Sequence, residues 1–162
     1  MAKFTYHDTW NSAPSDEEKD DLTKFWLSEG ALTSPDQARD RLRQVVLYAR
    51  DAEGAVAGVG TAFAHTLPQI GQPLYYYRSF IGVRWRSTRL VYLLIKRAQK
   101  LLGEYAREHE WPCIGMLLEL ENKRFGEKGR MPVWPHLDLV YAGKSPRGLE
   151  LRVHYFTGAS LH

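Results

Sequence analysis

Three arginines, Arg84, Arg86 and Arg89, stand between an aromatic and apolar run ending at Val83 and a long helix-type pattern. A helix start leaves backbone N–H groups unpaired and carries partial positive charge. Segment 84–90 is therefore suited to hold an anion such as a phosphate. Trp85, set among these cations, could stack on a base or fold back over the helix start. Elsewhere the reactive side chains are sparse. Glu119 and Glu121 alternate at the end of a strand-type run and so share a face. His65 ends a glycine-bearing run, and Arg78 lies inside the Tyr75-Tyr76-Tyr77 strand, where burial would oblige it to find a partner. Cys113 is the single cysteine, which rules out an internal disulfide, and no Cys/His spacing of the zinc type occurs. No metal is expected.

These groups need a scaffold, and the chain is long enough to supply one. Its 162 residues, 44% apolar and 25% charged, suit one folded domain spanning 1–162. The opening MAKFTYHDTW has no secretion-type apolar segment, and no run reaches the ~20 apolar residues that span a bilayer. The expectation is a cytoplasmic protein without membrane contact. Net charge is +3, unevenly spread. Residues 1–60 hold seven Lys/Arg against eleven Asp/Glu, and residues 61–162 hold fifteen against eight. The basic part carries the arginine segment and would attract a nucleotide cofactor, a nucleic acid or an acidic protein.

In chain order, residues 3–9 alternate as a first strand. Ser15-Asp16-Glu17-Glu18 is a capping-box signature ahead of Leu22, Phe25 and Trp26, and Gly30 closes that helix. Ser34-Pro35-Asp36-Gln37 opens a second helix to about Arg43. Residues 45–50 and 55–64 form a hairpin, in which Gly58 and Gly60 leave one face bare for another backbone or a ligand. Residues 65–73 read as a loop, 74–83 as a strand and 88–108 as a helix. Leu90, Leu94, Leu101 and Tyr105 line the apolar side of that helix, and Arg89, Lys96, Arg97 and Lys100 lie away from it. Residues 113–120 form a buried-type strand and 121–127 a short helix. A last hairpin turns at 143–148. Pairing Leu139 with Leu151 gathers its apolar side chains, setting Asp138 opposite Arg152 and His136 opposite His154 as an ion pair and a surface pair.

The resulting order, β-α-α-β-β-β-α-β-α-β-β, resembles the GNAT superfamily of acyl-CoA-dependent N-acyltransferases over nearly the whole chain. The segment 80–94 carries the resemblance: a strand ending at Val83, then Arg86-Ser87-Thr88-Arg89-Leu90-Val91 over the family's Arg/Gln-x-x-Gly-x-Gly/Ala loop, then Leu93-Leu94 in the helix. Arg86 matches, whereas Arg89 and Val91 stand where the family has small residues, so the loop is degenerate. The fold implied is α/β, GNAT-like: a central mixed six- to seven-stranded twisted sheet flanked by about four helices. The crossover through the long helix requires two parallel strands, those ending at Val83 and Leu120.

The resemblance implies transfer of an acetyl or acyl group from acetyl-CoA, or another acyl-CoA, to an amine by direct attack. It assigns cofactor binding to Ile81, Val83, Arg84, Arg86, Ser87, Thr88, Arg89, Leu90 and Asn122, with an N–H near Ile81–Val83 for the acyl oxygen. Glu119 and Glu121 become the general bases. The family's usual tyrosine acid is absent from 123–128, which leaves Tyr141 or one of Tyr75–Tyr77 for that role. Two other readings stand behind this one. The donor could be an acyl carrier protein, drawn to Arg84, Arg86, Arg89, Lys96, Arg97 and Lys100. Alternatively, the chain is a non-catalytic module of the same fold that binds nucleic acid or protein. The acceptor is a small-molecule or protein amine, and the apolar last hairpin offers an edge for a homodimer.

Overall fold

Ser15 begins the first helix as its capping box requires. Its Oγ accepts the Glu18 N–H at 3.1 Å, and the Glu18 carboxylate accepts the Ser15 N–H at 3.0 Å. Helix α1, Asp16–Ser28, follows strand β1, Thr5–Asp8, and ends before Gly30, whose φ of 74° only glycine adopts without cost. Ser34 caps α2, Pro35–Leu42, with Pro35 in its first turn. Strands β2, Val45–Arg50, and β3, Val56–Leu67, pair antiparallel. Then come β4, Gln72–Ile81, a 3-10 turn, Val83–Trp85, and α3, Leu90–Glu108. Strands β5, Gly115–Glu119, β6, Val133–Trp134, β7, Leu139–Lys144, and β8, Glu150–Tyr155, complete the chain. This computed structural model describes residues 3–120, 133–134 and 137–159. The expected helix over 121–127 lies outside the described residues, as do Glu121, Asn122 and His136.

The hydrogen-bonded strand order is β1-β2-β3-β4-β5-β8-β7-β6, eight strands with the two-residue β6 included. The fold is mixed α/β as expected. The one parallel pairing described joins Tyr75, Tyr76 and Tyr77 of β4 to Met116, Leu117 and Leu118 of β5, which the connection through α3 demands. The chain divides into two compact units, Met1–Ala62 with Ser79–Ala98, and Phe63–Arg78 with Gln99–His162.

The first unit is built on Leu22, Phe25, Trp26, Ala38, Val45, Tyr48 and Val59, all buried. Side chains also tie α1 and β1 to β2. The Tyr48 hydroxyl donates to the Glu18 carboxylate, His7 stacks on Tyr48 at 4.8 Å, and Arg50 meets Asp21 at 2.8 Å. The bare face expected at Gly58 is filled by the protein's own aliphatics. A Cβ there would lie 2.9 Å from Ile81 Cδ1, 3.1 Å from Leu94 and 3.2 Å from Leu90. The missing side chain thus seats α3 on β3 and leaves no room there for a ligand.

The second unit has its core in Leu67, Leu74, Ile114, Leu117, Leu151 and Val153. Gly115 is required where β5 meets β8, because a Cβ on it would stand 2.3 Å from the His154 carbonyl oxygen. Two expectations are corrected here. The stretch 65–73 is mostly strand: β3 continues to Leu67 and β4 begins at Gln72. The last hairpin pairs Val140 with Val153 and Tyr141 with Arg152, with a bulge before Lys144. Alternation misled because β8 lies between β5 and β7, and Leu151, Arg152 and Val153 are all buried. Asp138 consequently meets His154, at 3.3 Å, while Arg152 meets Glu150 at 2.8 Å. At the outer edge of this hairpin β6 pairs with β7 at Leu139 and Val140.

Replacing Gly115 with alanine should cost about 1–3 kcal/mol, because a backbone carbonyl cannot move aside as a side-chain end can. Urea unfolding reads this as a lower midpoint at unchanged slope. Glu18 gives a second test. The Tyr48 hydroxyl bond, followed by the Ser15 backbone bond, holds its carboxyl below the usual range, while burial, with Glu18 as acceptor, pushes Tyr48 up to about 12. A lowered carboxyl stabilises the fold above its unfolded pKa and loses that contribution as pH falls through the folded value. Glu18→Gln should therefore flatten the fall in stability between roughly pH 5 and pH 3.

Candidate functional site

In the first unit the end of β4 leads directly into the arginine segment. The Gly82 N–H donates to the Ala57 carbonyl at 2.8 Å, and the 3-10 turn closes with the Trp85 N–H on the Gly82 carbonyl, also at 2.8 Å. Thr88 then caps the approach to α3. Its Oγ1 donates to the Trp85 carbonyl at 2.6 Å and accepts the Leu90 N–H at 3.3 Å. Among the described residues, the N–H groups of Arg84, Ser87, Arg89 and Val91 make no hydrogen bond. Open donors therefore run through the turn and into the first turn of the helix, the arrangement that attracts an anion.

The arginines are interspersed with these donors along the segment, and the structure holds two of the three. Arg86 is folded toward the strand end, its Nε donating to the Ile81 carbonyl at 3.1 Å and its guanidinium 5.3 Å over Phe80. Arg84 lies 4.8 Å over Trp85, whose indole meets Phe4 edge-on at 5.2 Å. Trp85 thus folds back onto the first strand region. Arg89 is exposed, and its guanidinium has no hydrogen bond or ion pair among the described residues. Of the other residues expected to bind cofactor, Ile81 and Leu90 are buried, and Val83 is exposed. Leu90 serves the core with its side chain and the turn with its backbone. The Val83 N–H is occupied by a group that sequence reasoning missed: Glu29, at the end of α1, accepts it through Oε2 at 3.2 Å.

In the second unit Glu119 is a fixed carboxylate. Its side chain is 7% exposed and accepts Arg147 Nη1 at 2.8 Å and the Tyr76 hydroxyl at 3.1 Å. Phe63 packs on Tyr76 with ring centroids 5.1 Å apart, and His65 meets Tyr76 edge-on at 6.2 Å. The Arg78 guanidinium lies 5.3 Å over Phe63 and 5.7 Å over Tyr76. Glu119 is therefore oriented by a phenol and a guanidinium, as an acid–base group must be if it is to present one oxygen reproducibly. Arg147 was not foreseen, since it sits in the turn before β8, 28 residues from Glu119, and no local pattern marks it.

Other expected groups separate by environment. Tyr141 is exposed, with the Arg152 guanidinium 5.7 Å over its ring, and its hydroxyl makes no hydrogen bond among the described residues. Tyr75 is buried, and burial raises its hydroxyl well above the ordinary range, so it holds its proton. Cys113 is also buried, and burial pushes its thiol up to about 11, an environment that disfavours a thiolate nucleophile. Among the described residues no cluster of His, Cys, Asp and Glu could hold a metal ion. Among them, too, no helix is long and apolar enough to cross a membrane.

No family model matches the sequence, and no curated protein matches it. The similarity is in three dimensions. A GNAT-family acetyltransferase from Streptococcus pneumoniae superposes with a TM-score of 0.55 at 12% identity, over 93% of this chain and 96% of that one. AtaTR bound with AcCoA does so at 0.61 and 12%, over 94% and 93%. The KacTA–DNA complex does so at 0.55 and 10%, over 95% and 94%. Identities this low speak for architecture alone, and the architecture is clear: the chain has the GNAT acetyltransferase fold.

Proposed function

We propose that this protein is an acyl-CoA-dependent N-acyltransferase of the cytoplasm, moving an acetyl or other acyl group from the thioester to an amine by direct attack. The observation that carries this reading is the run of open N–H groups at Arg84, Ser87, Arg89 and Val91, bordered by three arginines, in a fold shared with a structure bound to AcCoA. Acyl-CoA supplies an activated thioester and a pyrophosphate, and the residues present suit that pyrophosphate. Families with glycine at the loop bring backbone to the phosphates. Here the bulk of Arg89 and Val91 limits how closely the backbone approaches, and the guanidinium groups of Arg84, Arg86 and Arg89 add charge-assisted donors to the open N–H groups. The Ser87, Thr88 and Leu90 backbone completes the segment, and Ile81 and Val83 border the acyl end. Asn122 enters on the resemblance, and Glu121 on its alternation with Glu119 in the sequence.

In this reading Glu119 draws a proton from the acceptor amine, directly or through water, because only the neutral amine is a nucleophile. Tyr76 and Arg147 hold its carboxylate in place. Tyr76 can also return a proton to the departing thiolate, as can the exposed Tyr141. The acceptor is a small-molecule or protein amine.

A second reading has an observation of its own. The exposed side of α3 carries Arg89, Tyr92, Leu93 and Lys96 together, a mixed cationic and apolar stripe that fits an acidic acyl carrier protein as donor. Reversing charge at Lys96 and Lys100, both exposed and outside the arginine segment, should then abolish carrier binding while leaving acetyl-CoA binding unchanged.

Isothermal titration with acetyl-CoA tests the main reading. Binding is expected in the wild type, with the Arg86→Ala, Arg89→Ala double variant at least about tenfold weaker, or ~1.4 kcal/mol. Folded protein that gives no heat at millimolar acetyl-CoA would remove the donor assignment. Glu119→Gln should leave acetyl-CoA affinity within about twofold and lower kcat by roughly 10²–10⁴. Thiol release in the presence of polyamines, amino acids and peptide N-termini reads the latter.

A further inference from the structure

Glu29 occupies a position that the proposed chemistry gives to a ligand. It caps the C-terminus of α1, its own N–H bonded to the Phe25 carbonyl at 3.0 Å, and Gly30 turns the chain away behind it. From that anchor the side chain reaches the end of β4, where Oε2 accepts the Val83 N–H at 3.2 Å. Oε1 lies against Gly82, so that a Cβ at Gly82 would stand 3.2 Å from it and 3.3 Å from the Phe25 ring. The absence of a side chain at Gly82 therefore makes room for this carboxylate. Although Arg84 and Arg86 follow within a few residues, Glu29 forms no ion pair among the described residues. It uses its oxygen on a backbone donor that no described backbone carbonyl takes up, so the acceptor at this donor is a side chain and not a strand.

We infer that Glu29 is a specificity-determining residue that holds the seat of the acyl oxygen. This rests on the donor reading above, in which an N–H near Ile81–Val83 receives the thioester carbonyl, and it takes that N–H to be the one on Val83, which Glu29 occupies. A bound acyl thioester must displace Glu29 from Val83. The free thiol product lacks the thioester carbonyl, so Glu29 can return to the N–H while that product is still bound. The competing carboxylate thus weakens the acylated donor selectively, and its return marks the end of the transfer. A carboxylate that acted merely through its charge would weaken both ligands alike, since both carry the same phosphates.

The test compares affinities for acetyl-CoA and for CoA in the full chain, wild type, Glu29→Ala and Glu29→Gln, each checked for an unchanged melting temperature. Removing a net hydrogen bond from the competitor should tighten acetyl-CoA about three- to tenfold in Glu29→Ala and leave CoA within about twofold. Glu29→Gln keeps an acceptor oxygen and should stay near the wild type. The Val83 amide resonance gives a readout independent of affinity. It should shift in Glu29→Ala, and Glu29→Ala should change its position in the CoA complex, where Glu29 has returned, but not in the acetyl-CoA complex, where Glu29 has been displaced. Equal tightening of both ligands would reduce Glu29 to a charge effect and overturn the inference, as would unchanged or weaker acetyl-CoA binding, with the donor reading intact in each case. If neither ligand binds any of the three proteins, the donor reading fails and takes the inference with it.

Discussion

Strand β4 runs out of backbone partners at Gly82. The Gly82 N–H is the last to reach β3, at the Ala57 carbonyl, and the next, on Val83, is met by a side chain from α1. A backbone donor cannot be abandoned without cost, so the chain must either supply an acceptor there or leave the donor for solvent or a ligand. The 3-10 turn, the Thr88 cap and the start of α3 all follow from that break in the ladder. So does the series of open N–H groups beyond it.

The same constraint explains why arginine can stand where glycine is usual. A loop whose side chains limit how closely its backbone nears an anion gains from donors that reach, and guanidinium groups offer paired donors that stay charged at any physiological pH. Arg86 and Arg84 are partly ordered in advance by Phe80 and Trp85, which reduces the entropy lost when an anion is bound. Glycine is kept where backbone proximity cannot be avoided. Gly58 lets α3 settle on β3, Gly115 lets β5 approach β8, and Gly82 gives Glu29 its place.

Much of this was legible in the sequence because it is local. The capping residues Ser15, Glu18 and Ser34 name both helix starts, and the long amphipathic stretch between two strand-type runs dictates a parallel pair. The element order then suffices to suggest the fold. What the sequence hides is what depends on distant contacts. Gly58 announces a bare face but not that Leu90 and Leu94 fill it. Alternation points to the wrong register for the last hairpin because it fixes register only when one face is buried, and β8 is buried on successive residues. Glu29 and Val83 are 54 residues apart, and Arg147 reaches Glu119 from a turn. Neither partner lies in a pattern that periodicity or motif could detect.

The most direct test of the account is a crystal structure of the protein with acetyl-CoA. The account predicts pyrophosphate against the N–H groups and arginines of residues 84–91, the thioester oxygen on the Val83 N–H, and Glu29 moved off that donor. Acetyl-CoA bound elsewhere, or Glu29 still on Val83 with the pyrophosphate away from the arginine segment, would contradict it.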